Sequence, residues 1–295
     1  ATAGDIAVTT DAGNDTVIAG AGNNNLSTGA DDDTIQFVSA NFSSGDTVDG
    51  GAGVNTVQIS NAATVIDTSF THLSSIQKLV LANATNTVTL GAAAENAGLM
   101  SVIGGSGVDT ISLSGSYTAS SYIDVGSGDD SVTGSIGADT IIGGSGTDTL
   151  SGGEGNDVFI VASTADFTSG ESVSGGTNIG GVDTLRLTGA GIYGNSQLDG
   201  SINGIEDIEL AAIGTWSLTF ADSAFTYADH NGDNIYDGTL EVLSSVTQSS
   251  GVKIDASAVT NVTNALVVNA SGLDGSDTLL GGAGSDSLDG GFGND

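Results

Sequence analysis

Asp130, Asp139, Asp148 and Asp157 stand nine residues apart, and each follows a glycine by two places. A short carboxylate on a tight glycine turn is a hard oxygen donor. Two such groups beside turn carbonyls make an all-oxygen cage of the kind that calcium accepts. The four aspartates belong to the nonapeptides VGSGDDSVT, GSIGADTII, GGSGTDTLS and GGEGNDVFI, with glycine at position four and aspartate at position six. Position eight is apolar in each: Val132, Ile141, Leu150 and Phe159. The preceding unit, SYTASSYID, keeps the register through Ile123. The same register returns in TDAGNDTVI, AGAGNNNLS and TGADDDTIQ, which place Asp15, Asn24 and Asp33 at position six. Further units carry Asp109 (GGSGVDTIS), Asp183 (NIGGVDTLR) and, at the C-terminus, Asp277, Asp286 and Asp295.

The elements that position these aspartates follow from the period. Glycines at positions one, two and four let the backbone bend sharply. The residues around position eight then run extended, with the apolar side chain facing inward. Two nonapeptides make one turn of a flattened helix, so loops of one edge recur every second repeat. That arrangement predicts that Asp15 shares a site with the Asp33 loop, Asp130 with the Asp148 loop, Asp139 with the Asp157 loop and Asp277 with the Asp295 loop. The competing reading of each is a solvated Asx-Gly turn that holds no metal.

Between the nonapeptide blocks lie longer stretches rich in Val, Ile, Leu and Thr. LSSIQKLVLA, TNTVTL and LMSVIGGSG in the first correspond to INGIEDIELA, TWSLTF, LEVLSS and VKIDAS in the second. β-branched residues and the absence of helical caps favour strands. The chain is therefore expected to be one continuous solenoid of five segments. These are a nonapeptide block at 1–58, wider rungs at 59–115 with one such turn at 104–112, a block at 116–161, wider rungs at 162–271 with one turn at 178–186, and a truncated block at 272–295. Short helical turns are expected around Gly91 to Gly98 and Asp222 to Phe225. A second kind of calcium candidate is the loop ADHNGDNIYDGTLE, where Asp229, Asn231, Asp233 and Asp237 follow the spacing of an EF-hand loop. Asn234 stands in place of its glycine and Leu240 in place of its glutamate, so a polar surface loop is the alternative.

Composition excludes other classes. Three basic residues face 36 acidic ones, for a formal charge of −33, so no basic footprint for nucleic acid exists. Anionic membranes would repel the chain, and no apolar run approaches a membrane span. At 38% hydrophobic residues the chain is too apolar to remain a solvated coil, and its acid needs a counter-cation. Absence of cysteine excludes disulfides and thiolate metal sites. Only His72 and His230 are present, and no HExxH, GxSxG or phosphate-loop pattern occurs, so no enzyme is expected.

The nonapeptide GGxGxDxUx, with U apolar, resembles the calcium-binding repeat of the RTX family. The resemblance implies a right-handed parallel β-roll or β-helix whose GGxGxD turns bind several Ca2+ ions after export to the extracellular space or the bacterial cell surface. Nonapeptide blocks alternating with Thr-, Ala-, Ser- and Gly-rich rungs, together with INGIEDIEL, resemble the calcium-dependent lattice regions of bacterial surface-layer proteins. The expected function is thus a calcium-rigidified rod that assembles with copies of itself, anchored to cell-surface polysaccharide through regions outside this sequence. The alternatives are a calcium-folded segment of an RTX adhesin and the secretion tail of an RTX exoenzyme or toxin. A start without methionine and an end inside a repeat are read as signs of a fragment or processed product.

Overall fold

Runs of two to six residues built on Thr, Val, Ile and Leu form short parallel strands, each adding to the strand one turn earlier. The computed structural model describes residues 4–176, 181–198, 202–225, 238–248, 250–269 and 272–295. The chain divides into two compact units, Ala1–Gly137 and Ala138–Asp295.

In the first unit one sheet is built in chain order from Thr16–Ile18, Thr34–Phe37, Thr56–Ile59, Lys78–Val80, Ser101–Ser106 and Tyr122–Ser127. All neighbours are parallel, and the register sets Val17, Ile35, Val57, Leu79, Val102 and Ile123 side by side. Every member of this column is buried. Removing each such side chain from water contributes about 1.5–3 kcal/mol. A second column, Val65, Val88, Ile111 and Val132, runs through the sheet of Thr64–Ile66, Asn86–Leu90, Asp109–Leu113 and Ser131–Thr133. A third sheet joins Ala7–Thr9, Asn25–Ser27, Thr47–Asp49 and Leu73–Ser74. The wide rungs fill their extra width with Phe37, Phe42 and Phe70, whose rings lie 5.0 and 5.3 Å apart in sequence.

The second unit repeats the design. Ile141, Phe159, Leu185, Ile208, Val242 and Val268 form one buried column. Leu150, Val173 and Ile202 form another. Strands Ile192–Tyr193, Trp216–Thr219, Val252–Asp255 and Thr278–Leu280 close the third side of the wider rungs. There the ring of Tyr193 stacks on Trp216 at 6.1 Å.

Both expected helical turns are present, as the helix Ala92–Ala97 and the 3-10 turn Asp222–Phe225. Each is tied to a neighbouring rung by a carboxylate. Asp67, one turn earlier, accepts the N–H groups of Gly91, Ala93 and Ala94 and so caps the helix N-terminus. Asp222 accepts those of Thr260 and Asn261 one turn later. The eighteen-residue turn holds only where two full nonapeptides adjoin. The wider rungs step by 21 to 26 residues at the position-six ladder, because their insertions go into loops while the strand register is kept.

Candidate calcium-binding turns

The position-six side chains form ladders of their own along the edges of the stack. In each, the side-chain oxygen of one turn accepts the backbone N–H of the position-six residue one turn earlier. Asp15 N–H donates to Asp33 Oδ1 at 2.8 Å. Asp139 N–H donates to Asp157 Oδ1 at 2.7 Å, and Asp277 N–H to Asp295 Oδ1 at 3.0 Å. The structure thus brings together these three expected pairs. Asp130 belongs to the first unit and Asp148 to the second. Asp286 Oδ1 accepts the N–H of Leu266 at 2.9 Å. Asp229, Asn231, Asp233 and Asp237 lie outside the described residues.

Asp109 and Asp183, isolated in sequence, are not isolated in the fold. Asp109 accepts Asn86 N–H at 2.9 Å and donates its own N–H to Asp130 Oδ1 at 2.7 Å. Asp183 Oδ1 accepts Asp157 N–H, and its own N–H reaches Glu206 Oε2, both at 2.7 Å. The ladder therefore continues through the wide rungs, on Asp46 and Asn55 at position six of the two nonapeptides from Asn41 to Gln58 and on further residues that the GGxGxD pattern does not reveal. Asp46 accepts Asn24 N–H, Asn55 accepts Asp33 N–H, and Gln77 accepts Asn55 N–H. Asn86 accepts Ala63 N–H, and Glu171 accepts Asp148 N–H. Their sequence signal is the triplet of a polar residue, Thr and an aliphatic residue: Asp46-Thr47-Val48 and Asn86-Thr87-Val88 match Asp109-Thr110-Ile111 without its glycines, and Asn55-Thr56-Val57 keeps all three glycines as Gly50, Gly51 and Gly53.

One carboxylate oxygen is used by the ladder, and the second is left over. Asp33, Asp109, Asp157 and Asp277 are all buried, and the Oδ2 of each has no hydrogen-bond partner. Burying an anionic oxygen without a donor costs several kcal/mol unless a cation neutralises it. The cost is visible in the acidities. Burial pushes the Asp157 carboxyl up to about 8, against the opposing hydrogen bond from Asp139 N–H, and the nearby Asp183 and Asp139 add to the rise. Burial likewise takes Glu171 to about 7 and raises Asp109 and Asp277 above the usual aspartate range.

Glycine makes the space. A methyl group on Gly104 would lie 2.6 Å from Asp109 Oδ2, and one on Gly152 would overlap Asp157 Oδ2. Gly153 and Gly155, which precede Asp157 by four and two places, have φ of +112° and +109°, where other residues are strained. Among the described residues no three acidic or imidazole side chains converge on one point. The donors available at each turn are instead a buried carboxylate oxygen and turn carbonyls. This hard oxygen set fits calcium and suits neither zinc nor copper.

A family model described as the RTX calcium-binding nonapeptide repeat matches in four copies, over residues 8–36, 124–159 and 269–295. Comparison with curated proteins and with solved structures found no match. The matched segments overlap the three blocks read from the nonapeptide period and include Asp15, Asp33, Asp130, Asp139, Asp148, Asp157, Asp277, Asp286 and Asp295. The repeat is a calcium-binding structural motif, and RTX repeat proteins are typically secreted. No helix among the described residues is long and apolar enough to cross a membrane. With parallel strands in stacked sheets and leftover carboxylate oxygens at its glycine turns, the chain carries the calcium-binding nonapeptide repeats of the RTX family on an all-β roll.

Proposed function

We propose that the chain is an extracellular structural element that calcium folds and stiffens, and that it assembles with further copies into a surface layer or similar polymer. The observation that carries the calcium step is the buried, partnerless Oδ2 on Asp33, Asp109, Asp157 and Asp277. Calcium at ten times a site's dissociation constant contributes about 1.4 kcal/mol per site. A handful of such sites equals the net stability of an ordinary domain, so calcium decides whether the roll persists. A chain of this kind completes its fold only where calcium is plentiful, which suits export. Alternation of nonapeptide turns with wide apolar rungs supports the assembly step. Asp15, Asp130, Asp139, Asp148, Asp183, Asp286 and Asp295 are the further proposed ligands. Attachment to cell-surface polysaccharide would fall to regions outside this sequence.

The test is a calcium titration of the purified chain, followed together by far-UV circular dichroism and light scattering. A large gain in strand content followed by growth into ordered sheets is the expected result. Folding without growth would remove the assembly step and leave a calcium-folded spacer. A chain fully folded in strong chelator, with no response to the metal, would overturn the calcium reading.

A further inference from the structure

Two turns already contain a group where the others need a cation. Asn24 and Asn86 occupy position six, and both are buried. Asn86 Nδ2 donates to the carbonyl oxygens of Ala82 at 3.0 Å and Ala84 at 2.7 Å, four and two residues back in its own turn. It also donates to Asp109 Oδ1, from the following turn, at 2.8 Å. Asn24 Nδ2 repeats the pattern with Gly20 and Gly22, both at 3.2 Å, and with Asp46 Oδ1 at 2.8 Å. Each amide nitrogen therefore faces two carbonyls of one turn and one carboxylate of the next, an all-oxygen surround. The orientation of the amide is fixed by these neighbours, because the reversed group would set its oxygen against acceptors alone.

The comparison with aspartate is atom for atom at Asn86, whereas at Asn24 only the amide nitrogen is placed alike and Oδ1 is buried without a hydrogen-bond partner. Asn86 Oδ1 accepts the N–H of Ala63, as Asp157 Oδ1 accepts that of Asp139 and Asp33 Oδ1 that of Asp15. The remaining terminal atom is a donor in Asn86 and a partnerless anionic oxygen in Asp33 and Asp157. We infer that Asn24 and Asn86 close their turns without metal, the amide N–H2 standing in for calcium, so that these turns bind no calcium and hold their shape when it is withdrawn. The inference rests on the calcium reading of the aspartate turns. It divides the ladder into two kinds of rung. Carboxylate rungs are stable only when a cation or a proton neutralises them, and amide rungs carry a built-in substitute with no net charge. The amide rungs lie in the unit Ala1–Gly137, which also uses Asn55 and Gln77 on its ladder.

The experiment exchanges the two residue types in the full chain and counts calcium bound per chain after dialysis against the metal alone. Asn86→Asp is expected to add one calcium, and to lower the thermal midpoint in chelator because two carboxylates then face one hole. Asp157→Asn is expected to remove one calcium and raise the midpoint in chelator. Asn61→Asp adds the same charge at an exposed loop and is expected to change neither. An Asn86→Asp chain that folds in calcium yet binds the wild-type number of ions would overturn the inference alone. Loss of calcium without the gain in chelator for Asp157→Asn would overturn it as well. A wild-type chain that binds no calcium would overturn the functional reading beneath it.

Discussion

The ladder of Asp139, Asp157, Asp183 and Glu206 in the second unit is carboxylate at every rung, whereas that of Asp15, Asp33, Asn55 and Gln77 in the first passes from acid to amide. The hydrogen bond from backbone N–H to side-chain oxygen is the same in both. Only the second terminal atom differs, and with it the need for a counter-cation. The shape of the turn and the demand for metal are therefore separable properties of one motif.

The largest effect that would test this contrast is calcium withdrawal itself. Hydrogen exchange in chelator should lose protection across Thr140–Ile142, Val158–Val161 and Thr184–Leu187 while Lys78–Val80 and Asn86–Leu90 stay protected. Loss of both groups at one calcium concentration would dissolve the distinction. Next comes Gly152→Ala, whose added methyl overlaps the Asp157 carboxylate. It should weaken calcium binding at that turn and destabilise the calcium-loaded chain by about 1–3 kcal/mol through the displaced hydrogen bond to Asp139, read from denaturant midpoints.

A third effect depends on pH. Asp157 and Glu171 are held above their unfolded values, to about 8 and about 7, so the folded state binds more protons between about pH 4 and pH 8. Stability of the metal-free second unit is then greatest below about pH 4 and falls as pH rises through that window. Thermal midpoints in chelator should be higher at pH 5 than at pH 8, and calcium should reverse the order. The smallest effect belongs to Arg186→Ala, which breaks the pair between a part-exposed guanidinium and the buried Glu209. It should cost less than about 1 kcal/mol with or without calcium, since the pair lies outside the turns.

Much of this was legible in the sequence. The nine-residue period placed the apolar residues of position eight on the inner face, and Val17, Ile35, Val132, Ile141, Leu150 and Phe159 are buried there. It also paired Asp15 with Asp33 and Asp139 with Asp157, because turns of eighteen residues set these loops side by side. Glu171 and Glu206 escaped for a physical reason. In wider rungs the loop grows and the glycines go, so a longer or differently placed side chain reaches the same N–H. The period sets Asn24 at position six, but residue type alone does not show that its amide N–H2 meets the carbonyls of Gly20 and Gly22.

The position-six ladder also has a direction. The N–H of a turn is satisfied by the side chain of the turn after it, as Asp33 serves Asp15, Asp109 serves Asn86 and Asp295 serves Asp277. Each turn is thus completed by its successor, and the stack resembles a row of tiles in which every tile is held down by the next one laid. A front that advances from the C-terminal side offers each arriving turn its acceptors ready-made. One that advances from the N-terminal side always ends in open donors. The two ends of such a ladder are consequently unlike, the N-terminal one presenting spare carboxylate oxygens and the C-terminal one spare N–H groups.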